Sequence, residues 1–259
     1  MSAAALVHRL RAAGCVFAEE EAERLLAAAP SAEALESMVA RRVEGFPLEH
    51  VLGFADFAGV RVEVADTVFV PRHRTELLTS TARTMLRDGG VVLDLCCGTG
   101  ALGLVVVRGF SGVRLVASDI DPAAVACARR NLTGSPSAEF TAEVFQGDLF
   151  SAVPVDLRGR VDVLLANVPY VPTAEIAYLP EEFRVHEARA ALDGGDDGLD
   201  VLRRVAAEAA GWLAPGGALL TEAGAEQLAT AHALLRAGGL RPRTVTDEET
   251  ETHVVVAVA

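Results

Sequence analysis

The sequence contains no lysine, because all 23 of its basic residues are arginine. Catalysis through a Schiff base on a lysine side chain is therefore excluded. Long apolar runs are missing as well: 51% of the residues are hydrophobic, but no uninterrupted stretch approaches the roughly 20 residues of a membrane helix. The first residues show no cationic leader followed by an apolar block. We therefore expect no signal peptide and a cytoplasmic protein without membrane contact.

Dense basic segments are also absent, and the 36 carboxylates give the chain a formal charge of −13. Such a surface repels phosphate backbones, which argues against nucleic acid as a direct partner. The cysteines show no C-x-x-C spacing and lie at Cys15, Cys96, Cys97 and Cys127. The histidines are scattered along the chain. We therefore expect a reducing compartment, no disulfide framework and no metal site.

The pattern of apolar residues divides the chain into three predicted regions. In residues 1–46 apolar side chains recur at helical intervals, which predicts a small helical bundle with one helix starting at Ser31. Residues 47–74 partly alternate and contain glycines, which predicts a linking β-hairpin. Residues 75–259 form the predicted catalytic domain. The bundle serves either stability or substrate recognition, and both roles stay open.

Strands and helices alternate through the third region. The predicted strands are 91–95, 113–118, 143–146, 161–166 and 217–221, and the predicted helices are 76–87, 102–108, 122–131, 199–213 and 226–237. Segments 243–246 and 252–259 are predicted to pair as a C-terminal antiparallel hairpin. This order is typical of a doubly wound, mostly parallel α/β sheet, whose ligand lies beyond the carboxyl ends of its strands.

A glycine-rich loop follows the first strand of this region. Gly98, Gly100 and Gly103 match G-x-G-x-x-G, and Asp119 follows at about the spacing of a dinucleotide-binding motif. Asp94 favours S-adenosylmethionine over NAD, because a carboxylate there attracts a cationic methionine group and repels a pyrophosphate. The alternative role of Asp94 is to cap or brace the loop. Asp119 suits the ribose hydroxyls of either cofactor.

Small residues inside the loop complete the predicted cofactor contacts. The backbone of Cys96 and Cys97 is expected to pass close to the cofactor, because both side chains are small. A regulatory disulfide between these adjacent cysteines would be strained. The predicted contacts within the loop are Cys96, Cys97 and Thr99. Ile120, which directly follows Asp119, is predicted as a further cofactor contact.

Two further aspartates are assigned by their position after strands. Asp148 is predicted to face the exocyclic amine of adenine and Leu149 to face the ring, with a simple turn at Gly147 as the alternative. Asp121 precedes Pro122 and is predicted to cap a helix rather than bind a ligand.

The segment Asn167–Tyr170 directly follows the apolar strand 161–166. An Asn followed by a Pro and an aromatic ring, at the carboxyl end of a strand, can hold a planar nitrogen nucleophile. An amide nitrogen is a poor nucleophile because its lone pair is delocalised, so hydrogen-bond acceptors must orient it toward the electrophile. The alternative is a turn that ends the strand, with Tyr170 in the core.

Six motifs occur in order along the chain: Pro47-Leu48-x-x-x-Leu52-Gly53, Phe57-x-Gly59, Val70-Pro71-Arg72-x-x-Thr75-Glu76-Leu77-Leu78, Asp94-x-x-x-Gly98-x-Gly100, Asn167-x-Pro169-Tyr170 and Ala191-Leu192-Asp193-Gly194-Gly195-x-Asp197-Gly198-Leu199. Together they resemble the HemK/PrmC family of protein-(glutamine-N5) methyltransferases. The resemblance covers nearly the whole chain.

The resemblance implies a class I, Rossmann-like methyltransferase that uses S-adenosylmethionine. The implied acceptor is the glutamine of a Gly-Gly-Gln motif in a peptide-chain release factor. Asn167 would bond the side-chain amide beside the cofactor, and the backbone carbonyl of Val168 would accept from its N–H. Pro169 and Tyr170 would complete the catalytic and substrate-binding segment, with the tyrosine as a pocket wall.

Three departures from the family pattern concern the acceptor. Val168 stands where the family has a first proline, and Glu187-Ala188 stands where it tends to have Glu-Pro. The segment 71–76 reads Pro-Arg-His-Arg-Thr-Glu, where the family commonly reads Pro-Arg-Pro-Glu-Thr-Glu. His73 therefore stands in place of a proline, and Arg74 replaces a carboxylate by a cation. Arg74 is either a solvated surface charge or a contact for a carboxylate-bearing acceptor.

Other functions stay open at this point. Within methyl transfer, the acceptor is alternatively a different protein or a small amide or guanidine metabolite. An NAD-dependent oxidoreductase would use the same glycine loop, and a binding module would keep the fold without turnover. Methylation of adenine in nucleic acid uses a related motif, but the charge of −13 disfavours it.

Overall fold

The computed structural model describes residues 2–133 and 140–259. Its N-terminal part contains the helices α1 (Ala3–Ala12), α2 (Ala18–Ala28), α3 (Ala32–Val43) and α4 (Leu48–Leu52). Ser31 caps α3 as predicted, because its side chain accepts a hydrogen bond from the Ala34 N–H at 3.2 Å. These helices share an apolar cluster that includes Leu6, Leu25, Val39, Leu48 and Val51. The cluster extends past residue 46, and the division into three regions stays a prediction.

The linker contains the predicted β-hairpin. Strands β1 (Phe54–Phe57) and β2 (Val60–Glu63) pair antiparallel. Both turn residues, Ala58 and Gly59, have positive φ angles of 48° and 73°, a conformation whose twist matches that of the strands. The Glu63 carbonyl accepts from the Asn131 amide at 2.9 Å, so the hairpin is tied to the helix that carries Asn131.

The remaining strands form one sheet within the described residues. They are β3 (Val91–Leu95), β4 (Val113–Asp119), β5 (Phe140–Gln146), β6 (Val161–Ala166), β7 (Leu213–Glu222), β8 (Arg241–Asp247) and β9 (Thr252–Val258). The order across the sheet is β5-β4-β3-β6-β7-β9-β8. The first five are parallel, and β9 pairs antiparallel with both β7 and β8. The predicted mostly parallel sheet with a C-terminal antiparallel hairpin is therefore present.

Helices cover both faces of this sheet. They are α5 (Glu76–Arg83), α6 (Ala101–Val107), α7 (Pro122–Thr133), α9 (Asp200–Glu208) and α10 (Leu228–Ala237). A further short helix, α8 (Glu181–His186), has no buried residue. Two buried apolar clusters result. One includes Leu78, Val106 and Leu165, and the other includes Leu164, Leu202 and Trp212. Successive residues from Val163 to Ala166 of β6 enter opposite clusters, as expected for a strand that is buried on both sides.

Several predicted boundaries are wrong. The helix predicted over 199–213 ends at Glu208, and the strand predicted over 217–221 spans Leu213–Glu222. The backbone explains the difference, because the Trp212 carbonyl accepts from the N–H groups of Arg160 and Val161 at 3.1 and 3.0 Å. Sheet pairing therefore begins where apolar periodicity still suggests a helix. Helix α5 also ends at Arg83 instead of 87, β5 starts at Phe140 instead of 143, and α8 was not predicted.

Candidate active site

A cavity of about 450 Å³ opens beyond the carboxyl ends of β3, β4 and β6. Its walls come from five stretches of the chain, within 67–75, 94–102, 119–124, 167–171 and 179–192. The volume lies in the range of small-molecule sites, roughly 300 to 1,000 Å³. The strand order reverses between β3 and β6, because the chain runs from β3 through β4 to β5 on one side and then returns to β6 on the other side. Open α/β sheets bind ligands at such a point. The sequence-predicted loop and the Asn167 segment therefore share one cavity.

The glycine loop between β3 and α6 needs its glycines for two reasons. Gly98 and Gly100 have φ angles of 54° and 76°, which side chains rarely adopt. A Cβ on Gly100 would also lie 3.0 Å from the Leu132 side chain, and one on Gly103 would lie 3.0 Å from Asp94 Oδ2. The loop therefore turns tightly and lets α6 pack close to the sheet, which leaves the backbone beside the cavity.

Asp94 lies at the end of β3, is 1% exposed and lines the cavity. Its Oδ2 accepts a hydrogen bond from the Gly103 N–H at 3.0 Å, so the loop-bracing role is present. Burial raises the pKa of this carboxyl from 3.8 to about 7, because a buried charge loses its hydration. A cation in the cavity would favour the ionised form. The cofactor contact of Asp94 stays a prediction that this environment supports.

Asp119 ends β4 with both carboxylate oxygens engaged by the backbone. Oδ2 accepts from the Gly98 N–H at 2.9 Å and Oδ1 from the Asp121 N–H at 3.0 Å. These bonds fix the carboxylate at the cavity, and each oxygen keeps a lone pair for a hydroxyl donor. Ile120 is 58% exposed and also lines the cavity, which suits the apolar face of a ligand ring. Asp121 caps α7 as predicted, through its Oδ1 and the Ala123 N–H at 2.8 Å.

The small loop residues lie at the cavity, and their contact with a cofactor stays a prediction. Cys96, Cys97 and Thr99 all line the cavity, and both cysteines are free. Burial raises the pKa of both thiols, so neither is a thiolate near neutral pH. Their contribution to the site is therefore shape.

Asp148 and Leu149 stand apart from these residues. Neither is among the residues that line the cavity. Asp148 instead accepts from the Arg204 guanidinium at 2.6 Å, and Leu149 is buried with a φ of 49°. Their assignment to adenine stays a prediction.

Asn167 follows the last residue of β6 and lines the cavity with Val168, Pro169 and Tyr170. Within residues 2–133 and 140–259, the buried Oδ1 of Asn167 has no hydrogen-bond partner. A buried acceptor left unpaired costs about 1–3 kcal/mol, so a donor inside the cavity is the natural partner. Val168 is 3% exposed, so its side chain is packed into the wall of the cavity.

The loop 193–199 braces this segment from behind. The Gln227 side chain donates to the Tyr170 carbonyl and to the Asp197 carbonyl, both at 2.9 Å. A Cβ on Gly198 would lie 2.2 Å from the Tyr170 carbonyl oxygen. The loop can therefore pack against the segment only with glycine at 198. Sequence reasoning missed Gln227, because nothing near it in the chain marks its partners.

Arg74 is exposed, which agrees with a solvated surface charge, but its side chain also contacts another residue of the site. Its Nη2 donates to the Tyr170 hydroxyl at 2.7 Å, and that hydroxyl lies 3.4 Å from Glu222 Oε2. Glu222 is 5% exposed, and burial raises its pKa. Tyr170 thus stands between a cation and a buried carboxyl instead of serving as ordinary core. Glu222 was not predicted, although a lone carboxylate at the end of an apolar strand was a usable signal.

A buried ion pair holds the outer wall of the cavity. The Arg72 Nη2 donates to both oxygens of Glu187 at 2.6 and 2.7 Å, and Glu187 Oε1 also accepts from the Val70 N–H at 3.1 Å. The Arg72 guanidinium lies 3.7 Å from the ring centroid of Phe183 in α8. The linker is therefore clamped to the segment that includes α8.

The N-terminal helices reach the same wall. Arg42 of α3 pairs with Glu21 at 2.6 Å and with Glu182 of α8 at 3.0 Å. The rings of Phe46 and His186 have centroids 4.0 Å apart. The bundle thus supports α8 mechanically, and this contact leaves open whether the bundle also binds substrate.

The donor set of the cavity fits S-adenosylmethionine. The buried carboxyl of Asp94 and the partly buried carboxyl of Asp119 suit a cationic amino group and ribose hydroxyls, while they disfavour a pyrophosphate. In the part of the chain that the structure describes, no group of three or more potential metal ligands occurs. The same residues include no helix long and apolar enough to cross a membrane.

Comparison with known proteins identifies relatives of this chain. Residues 73–197 match the family model described as methyltransferase small domain. The chain is 36% identical over 197 residues to a release factor glutamine methyltransferase of Geobacter sulfurreducens, covering 76% of this chain and 67% of that protein. It is 38% identical over 208 residues to a 4-amino-L-phenylalanine/4-methylamino-L-phenylalanine methyltransferase of Streptomyces pristinaespiralis, covering 78% and 69%.

A solved structure supports the fold. A methyltransferase from Pyrococcus furiosus superposes with a TM-score of 0.57 at 19% identity, covering 86% of this chain and 98% of that chain. At this identity the likeness concerns the fold alone. The predicted class I methyltransferase fold is confirmed by this match together with the observed sheet order.

Proposed function

Because the chain belongs to the family of release factor glutamine methyltransferases, we propose that it methylates the side-chain amide nitrogen of a protein glutamine. The acceptor proposed is the Gly-Gly-Gln motif of a peptide-chain release factor, which places the reaction in the cytoplasm. The cofactor of the family is S-adenosylmethionine. The observation that carries the proposal is the buried, unpaired Oδ1 of Asn167 among the described residues that line the cavity.

The proposed reaction requires the protein to orient a weak nucleophile, the amide nitrogen. S-adenosylmethionine supplies an electrophilic methyl group on a positively charged sulfur. Asn167 Oδ1 accepts one N–H of the acceptor amide, and the backbone carbonyl of Val168 accepts the other. With both N–H groups held in the amide plane, the nitrogen lone pair would point at the methyl group of a bound cofactor, so that the N–C bond could form while the sulfur keeps the electrons of the methyl–sulfur bond. The methylated amide then loses its proton to water, so no strongly basic side chain is needed.

The other residues support this role by shape and charge. Asp94 and Asp119 hold the cofactor end of the cavity, and the Tyr170 ring walls the acceptor end. Gln227 supports the Tyr170 backbone at 2.9 Å, which limits movement of the acceptor pocket. Preorganised acceptors of this kind are worth several kcal/mol in the transition state.

The substitution Asn167→Ala tests the assignment. We expect methyl transfer to fall by about 100-fold or more, because removing one preorganised hydrogen-bonding group costs about 3 kcal/mol. Transfer is measured with labelled cofactor and a purified release factor, and mass spectrometry locates the methyl group. Calorimetry with S-adenosylhomocysteine is the control, and its affinity should change little. Near-normal turnover of the variant would remove Asn167 from the mechanism.

A second candidate acceptor is a small amino-acid-like molecule. Two observations favour it: a relative that is 38% identical has a name that specifies an amino acid substrate, and Arg74 adds an exposed cation to the cavity rim. Competition between a release factor and a mixture of small metabolites, with transfer of label followed in both fractions, separates the candidates. Label in the small-molecule fraction alone would replace the release factor and keep the chemistry.

A further inference from the structure

We propose that Arg74 forms a carboxylate-binding subsite beside the acceptor pocket, so that the methyl acceptor carries a carboxylate near its reacting nitrogen. This inference rests on the proposed methyl-transfer site and specifies the chemical class of its acceptor. It is argued from the position of Arg74, from its hydrogen bonds and from the charges around it.

Arg74 is held at the acceptor end of the cavity. It belongs to the short helical turn His73–Thr75 that precedes α5, and it lines the same cavity as Asn167 and Tyr170. Its Nη2 donates to the Tyr170 hydroxyl at 2.7 Å. The guanidinium therefore lies beside the ring that walls the pocket, within the same cavity as the proposed amide-binding oxygen.

Most hydrogen-bonding capacity of Arg74 is left for a ligand. A guanidinium has five N–H donors, and one of them is used by Tyr170. No carboxylate of residues 2–133 and 140–259 lies within ion-pair distance of Arg74, while Arg72, the other arginine that lines the cavity, is paired with Glu187 through its Nη2 at 2.6 and 2.7 Å. Among the described residues that line the cavity, Arg74 is thus the arginine without a carboxylate partner.

The Tyr170 hydroxyl keeps Arg74 in place. Burial raises the pKa of Tyr170, so its hydroxyl stays protonated. That hydroxyl donates toward Glu222 Oε2 at 3.4 Å, which leaves its lone pair to accept from Arg74. Glu222 itself does not line the cavity. The buried carboxyl therefore orients the hydroxyl, and the hydroxyl orients the guanidinium before any ligand arrives, which lowers the entropy cost of binding.

The charge and shape of the site select a carboxylate. A guanidinium binds a carboxylate through two parallel hydrogen bonds. A phosphate dianion is disfavoured, because the other unpaired charges that line the cavity are the carboxylates Asp94, Asp119 and Asp121. The carboxylate has two possible sources, the α-carboxylate of a free amino acid or an acidic side chain next to the glutamine of a peptide.

A binding experiment tests the subsite without requiring turnover. Calorimetry on protein saturated with S-adenosylhomocysteine compares N-acetyl-L-glutamine with N-acetyl-L-glutaminamide, which differ only by a carboxylate and an amide. We expect the wild type to prefer the carboxylate by about tenfold or more, since charged hydrogen bonds are worth about 1.5–3 kcal/mol. Arg74→Gln should abolish the preference. Arg184→Gln, an exposed arginine of α8 outside the cavity lining, should keep it.

A peptide series identifies the source of the carboxylate. Methyl transfer is measured on Gly-Gly-Gln peptides in which a neighbouring position carries Glu or Gln. The carboxylate comes from a side chain if the wild type prefers the Glu peptide and Arg74→Gln removes this preference. The loss should appear as a higher KM for the Glu peptide, with kcat little changed. A preference confined to N-acetyl-L-glutamine identifies the α-carboxylate as the source.

The proposal is overturned if neither comparison shows a carboxylate preference that Arg74→Gln removes, including the case in which neither small compound binds. Failure of the proposed function is a different result: no glutamine is methylated in any substrate, whatever the binding preference. The calorimetric arm therefore distinguishes the two failures.

Discussion

Replacing Asp94 by Asn should stabilise the free protein and weaken cofactor binding. Asp94 is 1% exposed and accepts a hydrogen bond from the Gly103 N–H at 3.0 Å. An Asn side-chain oxygen can accept the same bond, so the loop stays braced. The substitution therefore removes mainly a buried negative charge, and its effects on stability and on binding should have opposite signs.

The expected gain in folding stability of the Asp94→Asn variant follows from the raised pKa of Asp94, which is about 7 against an ordinary 3.8. A carboxyl with a raised pKa in the folded state favours folding when protonated, so its contribution is present at low pH and lost as pH rises from about 4 to about 7. About 3 pH units at about 1.4 kcal/mol each give about 4 kcal/mol. This is an upper limit, because relaxation of the folded protein around a buried charge reduces the cost. At pH 8 the free Asp94→Asn variant should approach this gain, and at pH 4 the difference should vanish.

Cofactor binding should show the opposite trend. A cationic ligand group binds the ionised form of Asp94, so wild-type affinity for S-adenosylhomocysteine should fall by up to about tenfold per pH unit below pH 7. The Asn variant should bind more weakly at pH 8 and lose this pH dependence.

Urea denaturation with and without S-adenosylhomocysteine, at pH 8 and pH 4, measures both effects. Asp196→Asn, at an exposed aspartate of the loop 193–199, is the matched control and should change neither. The reasoning is refuted if the free Asp94→Asn protein is no more stable than wild type at pH 8, or if its affinity for S-adenosylhomocysteine is unchanged.

Two further substitutions probe the supports of the site. Gly198→Ala should destabilise the protein by more than about 2 kcal/mol, since residue 198 has a φ of 75° and the new Cβ would lie 2.2 Å from the Tyr170 carbonyl; unaltered urea denaturation would contradict this. Glu187→Gln should cost about 3 kcal/mol or more, because it leaves Arg72 as an uncompensated buried charge. Substituting both partners, Arg72→Met with Glu187→Gln, should recover part of the loss, and no recovery would show that the pair acts through packing.

Local sequence signals predicted the elements that carry the site. The strands 91–95 and 161–166 were placed at their observed bounds, since continuous apolar runs bounded by glycine or Asn-x-Pro leave little choice. The glycine loop and the Asn167 segment were also expected at one edge of the sheet, because parallel strands end there together. Helix α8 was missed because it spans only six residues, Glu181–His186, none of them buried.

Local sequence signals could not predict contacts between side chains that are far apart in the chain. Tyr170 was expected to form a pocket wall, yet its hydroxyl bonds Arg74, which is 96 residues away, and faces Glu222, which is 52 residues away. Glu187 was noted only as part of a departure from the family pattern, but it closes a buried ion pair over 115 residues. Composition and periodicity carry no information about such pairs.

The sequence by itself determined the backbone at the site, because glycines at positive φ, apolar alternation and the Asn-x-Pro step act through local sterics and burial. It also determined that the Asn167–Tyr170 segment and the loop after Asp94 would meet at one edge of the sheet. Only the tertiary structure decided the burial and the hydrogen-bond partners of the polar side chains at the site. Burial raises the pKa of Asp94 to about 7, Asn167 Oδ1 is left unpaired among the described residues, and Arg74 is held by Tyr170. Desolvation and long-range pairing depend on neighbours that the chain brings together only when it folds.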